Sequence, residues 1–388
     1  MTLHIGLRLQ EAPGRHAPNV VDSAPCDSIP HYAHSHERIL PAGNSQQRDA
    51  AAILASNWKN STRSNVGTAA GPQHSTSSLA FFVSGAFCAA STAARAADQT
   101  IYAVPDSSLV MGLGYTRLKG NELVYDAGNR ISHLIWESDA PVLTTAFKAA
   151  LVNNWTISAN AAIGLSGDSH MEDYDWKERW GFDRGDWSSR DVSPDTSLDR
   201  YINVDIATGR DFVINDAMTV NLHGGFKYIN VKWTAYGGTF IRSDGGFRNE
   251  IINFEPGERI ISYEQRYPGV FLGAEVITKV GDWTLSGLLR GGISVDARDV
   301  DNHWLRKLLF EEEFGAQPFV SVGAKVDYQM NDRVSLFLAG NFDKYFREKG
   351  NMTQYDRSKA PVEVNFYKDA AGVDLCAFTL SAGFKLTF

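Results

Sequence analysis

The chain has 388 residues, 43% hydrophobic and 21% charged, with a net charge of −8. That balance leaves no basic surface and excludes nucleic acid as a partner. No apolar run is long enough for a membrane-spanning helix. Crossing by strands stays open, because alternating lipid-facing and lumen-facing residues keep the average hydropathy low. Glycine and aromatic residues are plentiful and favour strands and turns.

Residues 1–76 are rich in Ser, Ala, Asn, Arg and His and show no period. They are predicted to be disordered or untranslated, with the true start downstream of Met1. An apolar run from Leu79 to Ala90 follows, then Ala94-Arg95-Ala96. A run this short also fits a buried core helix, but small residues end it at the spacing of a secretory cleavage site. The segment 77–96 is therefore read as a signal peptide and 97–388 as the exported domain. The cysteines, Cys26, Cys88 and Cys376, show no metal-ligand spacing. Cleavage leaves Cys376 alone, so no intramolecular disulfide is expected in the exported chain.

Downstream, the pattern has a period of two. Val320, Val322, Ala324, Val326 and Tyr328 alternate with polar residues, and Val334, Leu336 and Leu338 continue after a turn. Phe378, Leu380, Ala382, Phe384, Leu386 and Phe388 share one face of a last strand. Tight turns are predicted at Asn153-Asn154, Asn215-Asp216, Gly281-Asp282 and Asn331-Asp332. Long polar segments near 119–130, 166–199, 230–263, 296–315 and 345–374 are predicted to be loops. Short turns at one end and long loops at the other describe an all-β, ten-stranded antiparallel transmembrane β-barrel. Trp155, Trp283, Tyr328 and Tyr345 fall near strand ends, where interfacial aromatic girdles belong. A soluble β-sandwich or lipocalin-like barrel is the competing fold, with its apolar face inward.

Two acidic clusters interrupt this pattern. One is Met171-Glu172-Asp173-Tyr174-Asp175-Trp176, the other Asp299-Val300-Asp301-Asn302-His303-Trp304. In a strand, residues i and i+2 share a face, so each cluster presents a pair of ionisable groups. Two such pairs across a cleft make an acid/base site with room for a water. Singly, each cluster also fits an ordinary polar loop. A divalent-metal site is the other chemical alternative, although one imidazole among carboxylates is a poor zinc set.

These clusters, with Ser193-Pro-Asp-Thr196, Gly237-Gly238, Gly246-Phe-Arg248, Pro256-Gly-Glu-Arg259 and Tyr263-Glu-Gln-Arg266 in the same order and spacing, resemble the omptins, outer-membrane endopeptidases of Gram-negative bacteria. The resemblance covers most of 105–388 and implies a ten-stranded monomeric barrel with its active site facing outside. It implies that Asp173 and Asp175 face Asp301 and His303 and activate a water, with no cofactor. His303 suits the general base, because its ordinary pKa lies nearest neutrality. Asp301 would orient its ring. Asp175, if protonated, would stabilise the tetrahedral oxyanion.

The resemblance further assigns Glu122 and Asp299 to a pocket for a basic side chain at the cleavage point, which suits charge-assisted hydrogen bonds. It also implies lipopolysaccharide as an activating lipid, held by Tyr228, Lys232 and Arg266 on the outer wall. Lys232 stands where the family usually has Arg, keeping the charge without the bidentate fork. An acidic position of that motif is Asn230. A non-catalytic barrel serving as adhesin or invasin is the functional alternative. A diffusion pore is disfavoured, since narrow barrels fill with side chains.

Overall fold

The structure is a computed structural model and describes residues 107–388. The extension 1–76 and the signal segment 77–96 lie outside the described residues. Nearly all the rest is antiparallel strand: β1 (Ser108–Asp126), β2 (Asn129–Ala150), β3 (Trp155–Gly164), β4 (Asp168–Asp175), β5 (Ser189–Asn215), β6 (Met218–Arg242) and β7 (Glu250–Val280), then β8 (Trp283–Ser294), β9 (Arg298–His303), β10 (Leu308–Phe314), β11 (Gln317–Asn331), β12 (Val334–Asp356) and β13 (Glu363–Thr387). β3 and β4 lie between the same neighbours, β2 and β5, and form one interrupted barrel strand. β8 with β9, and β10 with β11, are interrupted in the same way. The ring is therefore ten-stranded, closed by β1 against β13. Closure leaves no open sheet edge to lipid, where an unpaired backbone group is costly.

The alternating runs place their apolar faces outward. Met111 and Tyr115 on β1, Leu272 on β7, Leu289 on β8 and Phe378, Leu380 and Phe384 on β13 are all exposed. This is the lipid-facing band of a membrane barrel and rules out the inward apolar face of a soluble one. At one end, all four predicted turns occur where expected. Asn153, Asn154 and Gly281 take positive φ there, as tight turns require.

At the other end the predicted loops are largely continued strand. β1 and β2 meet across Ala127-Gly128, and β6 and β7 run on to Arg242 and from Glu250. The polar composition that suggested loops is that of a barrel wall standing clear of the apolar band, wet on its outer face. The connections left at this end are 127–128, 176–188, 243–249, 304–307 and 357–362.

Inside, the barrel is filled. Tyr345 is not a girdle residue as expected. It points inward and packs on Phe319 and Tyr267 at 4.8 and 4.6 Å. Buried ion pairs Lys227–Asp343 (2.9 Å) and Arg290–Asp205 (3.1 Å) lie in the same interior, which closes the lumen to diffusion. Trp283 and Tyr328 do pair at the barrel rim, 4.8 Å apart and exposed. Cys376 is buried on β13, and the other two cysteines lie outside the described residues.

Above the plug, Trp136, Trp233 and Tyr263 stack at centroid distances of 5.7–6.3 Å. A Cβ on Gly120 would come within 2.8 Å of the Trp233 ring, so glycine is needed for that ring to reach across. Trp233 also donates its indole N–H to Ser138 Oγ at 2.7 Å. Trp233→Ala is expected to cost about 3–5 kcal/mol of stability. This would be read as a lower urea midpoint for unfolding in detergent micelles. An unchanged midpoint would show that the stack does not stabilise the barrel.

Candidate active site

The acidic clusters sit on strand extensions above the apolar band. Their alternation decides what faces the lumen. On β4, Asp173 pairs in register with Leu134 of β2, and Leu134 with Glu122 of β1, so Glu122 and Asp173 share one rung. Asp175 pairs with Ser132 of β2. On β9, Asp299, Asp301 and His303 point inward and are buried. Their register partners on β10 are Glu312, Phe310 and Leu308. The structure thus brings together all six residues predicted for the cleft.

His303 Nε2 lies 2.6 Å from Asp301 Oδ2. With Nε2 protonated against that carboxylate, Nδ1 is the basic nitrogen. Phe310 lies edge-on to the ring at 5.5 Å, and Arg306 Nη1 stands 3.5 Å from Nδ1. Across the cleft, Ser132 Oγ donates to Asp173 Oδ1 at 3.2 Å. Burial raises the Asp173 carboxyl well above the usual range, and Asp175, Asp191 and Asp301 raise it further, against a smaller pull from Arg306. Asp175 is also raised by burial, while Arg306, Ser132 and His303 draw it back. The two pairs therefore feel each other's charge. Burial, with like-charge crowding at Asp173, favours the neutral form of these carboxyls.

The base of the cleft is a second acidic group. Glu122 is raised by burial, then by Asp301, Glu312, Asp299 and Asp173. Asp299 is pushed up to about 8 by burial, despite the Tyr263 hydroxyl donating to its Oδ2 at 2.7 Å. One oxygen each of Glu122, Asp299 and Asp301 meets no donor. Buried acceptors without partners are costly and call for a ligand that supplies donors. Among the described residues no group of His, Cys, Asp or Glu has the arrangement of a metal site.

On the outer wall, Tyr228, Lys232 and Arg266 lie on neighbouring strands. Asn230 pairs with Arg266 in register, and Lys232 with Glu264. Arg266 forks onto Glu264 at 3.0 Å through two nitrogens. Arg200 reaches the same carboxylate and Asn230 at 3.1 Å. Arg298 lies beside Arg266 in register. Arg266 thus joins Arg200 and Asn230 on one buried glutamate, while Lys232 and Tyr228 lie on the adjoining strand.

The sequence matches the Omptin family over residues 104–388. The chain belongs to the Omptin family. It is 27% identical to Protease 7 of Escherichia coli O157:H7 over 308 residues, spanning 76% of this chain and 94% of that protein. It is 25% identical to the plasminogen activator of Yersinia pestis over 289 residues, 73% and 90% of the two chains. The crystal structure of outer membrane protease OmpT from Escherichia coli superposes with a TM-score of 0.69 at 25% identity, covering 75% of this chain and 99% of that one. The protein is an omptin-like endopeptidase of the outer membrane, and its substrates are peptides or proteins.

Several residues of this omptin's cleft and wall escaped sequence reading. Asp191 of β5 pairs with Asp173, and burial pushes it up to about 7. Arg306 rises from the β9–β10 turn, and Glu312 faces Asp299. Arg200, Glu264 and Arg298 complete the outer patch. The signal that could have found them is strand register, which requires knowing that segments read as loops are strands.

Proposed function

We propose that this endopeptidase hydrolyses bonds next to Arg or Lys, using a water activated between the Asp173/Asp175 pair and the Asp301/His303 pair at the outward-facing end of the barrel. The observation that carries the reading is the buried 2.6 Å contact of His303 with Asp301, facing an aspartate pair whose carboxyls burial raises. Asp301 holds the ring, and Nδ1 takes a proton from water as the hydroxide attacks the carbonyl carbon. Asp173 binds the other side of that water. Asp175, kept neutral, donates a hydrogen bond to the developing oxyanion. The imidazolium then returns its proton to the leaving amine. Glu122 and Asp299 receive the basic side chain, whose N–H groups meet their unpartnered oxygens.

The test is hydrolysis of an internally quenched peptide with one Arg-Arg bond by the refolded barrel in detergent, beside Asp173→Ala. Cleavage at that bond that disappears in the variant is expected. A folded barrel that leaves the peptide intact while binding host surfaces would favour the adhesin reading.

The outer patch supports lipopolysaccharide as the activating lipid, with Lys232, Arg266 and Arg200 meeting its phosphates and Tyr228 its sugar or acyl boundary. Arg266→Ala is expected to raise the lipopolysaccharide concentration for half-maximal activity by about tenfold, the worth of one charge-assisted contact. An unchanged requirement would remove Arg266 from the lipid site.

A further inference from the structure

Glu312 is a buried acid that the mechanism above does not use. It projects from β10 into the lumen, opposite Asp299 of β9 in register. It is 1% exposed, and no N–H or hydroxyl reaches either of its oxygens. The carboxyl of Asp299 lies beside it and raises its pKa beyond what burial alone does. The neighbouring β12 offers Met352, which carries no charge. Glu311 and Glu313, on either side, are on the opposite face of the strand and exposed to solvent. A buried carboxyl that meets no N–H or hydroxyl is costly unless a cationic donor enters.

We propose that Glu312 is a third carboxylate of the basic-side-chain pocket, a specificity-determining residue that acts with Glu122 and Asp299 on the cation. This rests on the assignment of Glu122 and Asp299 to that pocket. The three acids come from β1, β9 and β10, so they reach the pocket from different strands. The stack of Trp136, Trp233 and Tyr263 lies beside them, with the Tyr263 hydroxyl fixed on Asp299.

The groups facing Glu312 are Glu122 on β1, Tyr263 on β7, and Asp299 and Asp301 on β9. None is a cation. Burial and these acids hold Glu312 well above the usual carboxylate range. An empty pocket therefore keeps protons on its acids, and an entering guanidinium or ammonium displaces them. Binding of a basic side chain should release protons and tighten as pH rises.

The experiment compares wild type, Glu312→Gln and Glu312→Asp. Quenched peptides would differ only in Arg, Lys or Gln before the scissile bond, assayed from about pH 6 to about pH 9. Gln removes the charge and keeps the shape, and it relieves crowding among acids, so the barrel should fold. Folding is checked by heat-modifiable gel mobility. In Glu312→Gln the Arg-over-Gln preference should fall by about tenfold or more, through KM rather than kcat. The rise of 1/KM with pH should be shallower, because fewer protons leave on binding. Glu312→Asp should keep both the preference and the steeper slope. Glu312→Gln with unchanged preference and slope would overturn the inference while leaving the pocket assignment intact. A wild-type enzyme with no basic preference would overturn the pocket assignment itself and the role of Glu312 with it.

Discussion

His303→Ala is expected to lower peptide hydrolysis at neutral pH by about a hundredfold to ten-thousandfold, the contribution of a positioned general base. His303 is the only imidazole among the six predicted cleft residues, and it is buried against Asp301 at 2.6 Å. The carboxyls across the cleft are poorer replacements, because burial raises both and so favours their neutral form. The loss should fall on kcat, since the ring binds water and transition state rather than the substrate side chain. Asp301→Asn should give a comparable loss for a different reason. The amide can donate to Nε2 and so turn the ring to the wrong tautomer. Near-normal kcat in a folded His303→Ala barrel would remove the base from the mechanism.

Replacing Glu122 by Gln and Asp299 by Asn together should reduce the Arg-over-Gln preference by a factor on the order of a hundred. Each lost charge-assisted hydrogen bond is worth about 1.5–3 kcal/mol. The effect should lie in KM and spare peptides with neutral side chains. The pH dependence carries the sign. Asp299 is pushed up to about 8, chiefly by burial. Below that it is largely neutral and holds a cation weakly. Above it the carboxylate is charged and holds a cation strongly. Preference for a basic residue should therefore grow as pH rises through about 8 in the wild type and grow less steeply in the double variant, where, of the three pocket acids, only Glu312 still titrates. Equal preference in both proteins at every pH would reject the pocket.

The sequence carried the fold through its alternation. Phe378, Leu380 and Phe384 could be assigned to the lipid face because an apolar residue recurs at every second position, and the four turns carry Asn, Asp or Gly, with positive φ at Asn153, Asn154 and Gly281. The same rule paired Asp173 with Asp175 and Asp301 with His303 on common faces. It failed where both faces are polar. In Glu311-Glu312-Glu313 nothing in composition separates the inward residue from its solvent-facing neighbours. Only the register of β10 on β9 sets Glu312 opposite Asp299. Tyr345 was misplaced for a related reason, since an aromatic near a strand end fits a girdle as well as a plug. Asp191 and Arg306 depend on which strands lie side by side, which local pattern does not encode.

The most direct test of the central claim is to map every bond cut in a mixed peptide library by the refolded barrel with lipopolysaccharide, wild type beside Asp173→Asn. The account predicts wild-type cuts confined to bonds next to Arg or Lys, and none by the variant at equal folding. Cuts with no basic neighbour, or a cleavage pattern that survives Asp173→Asn, would contradict it.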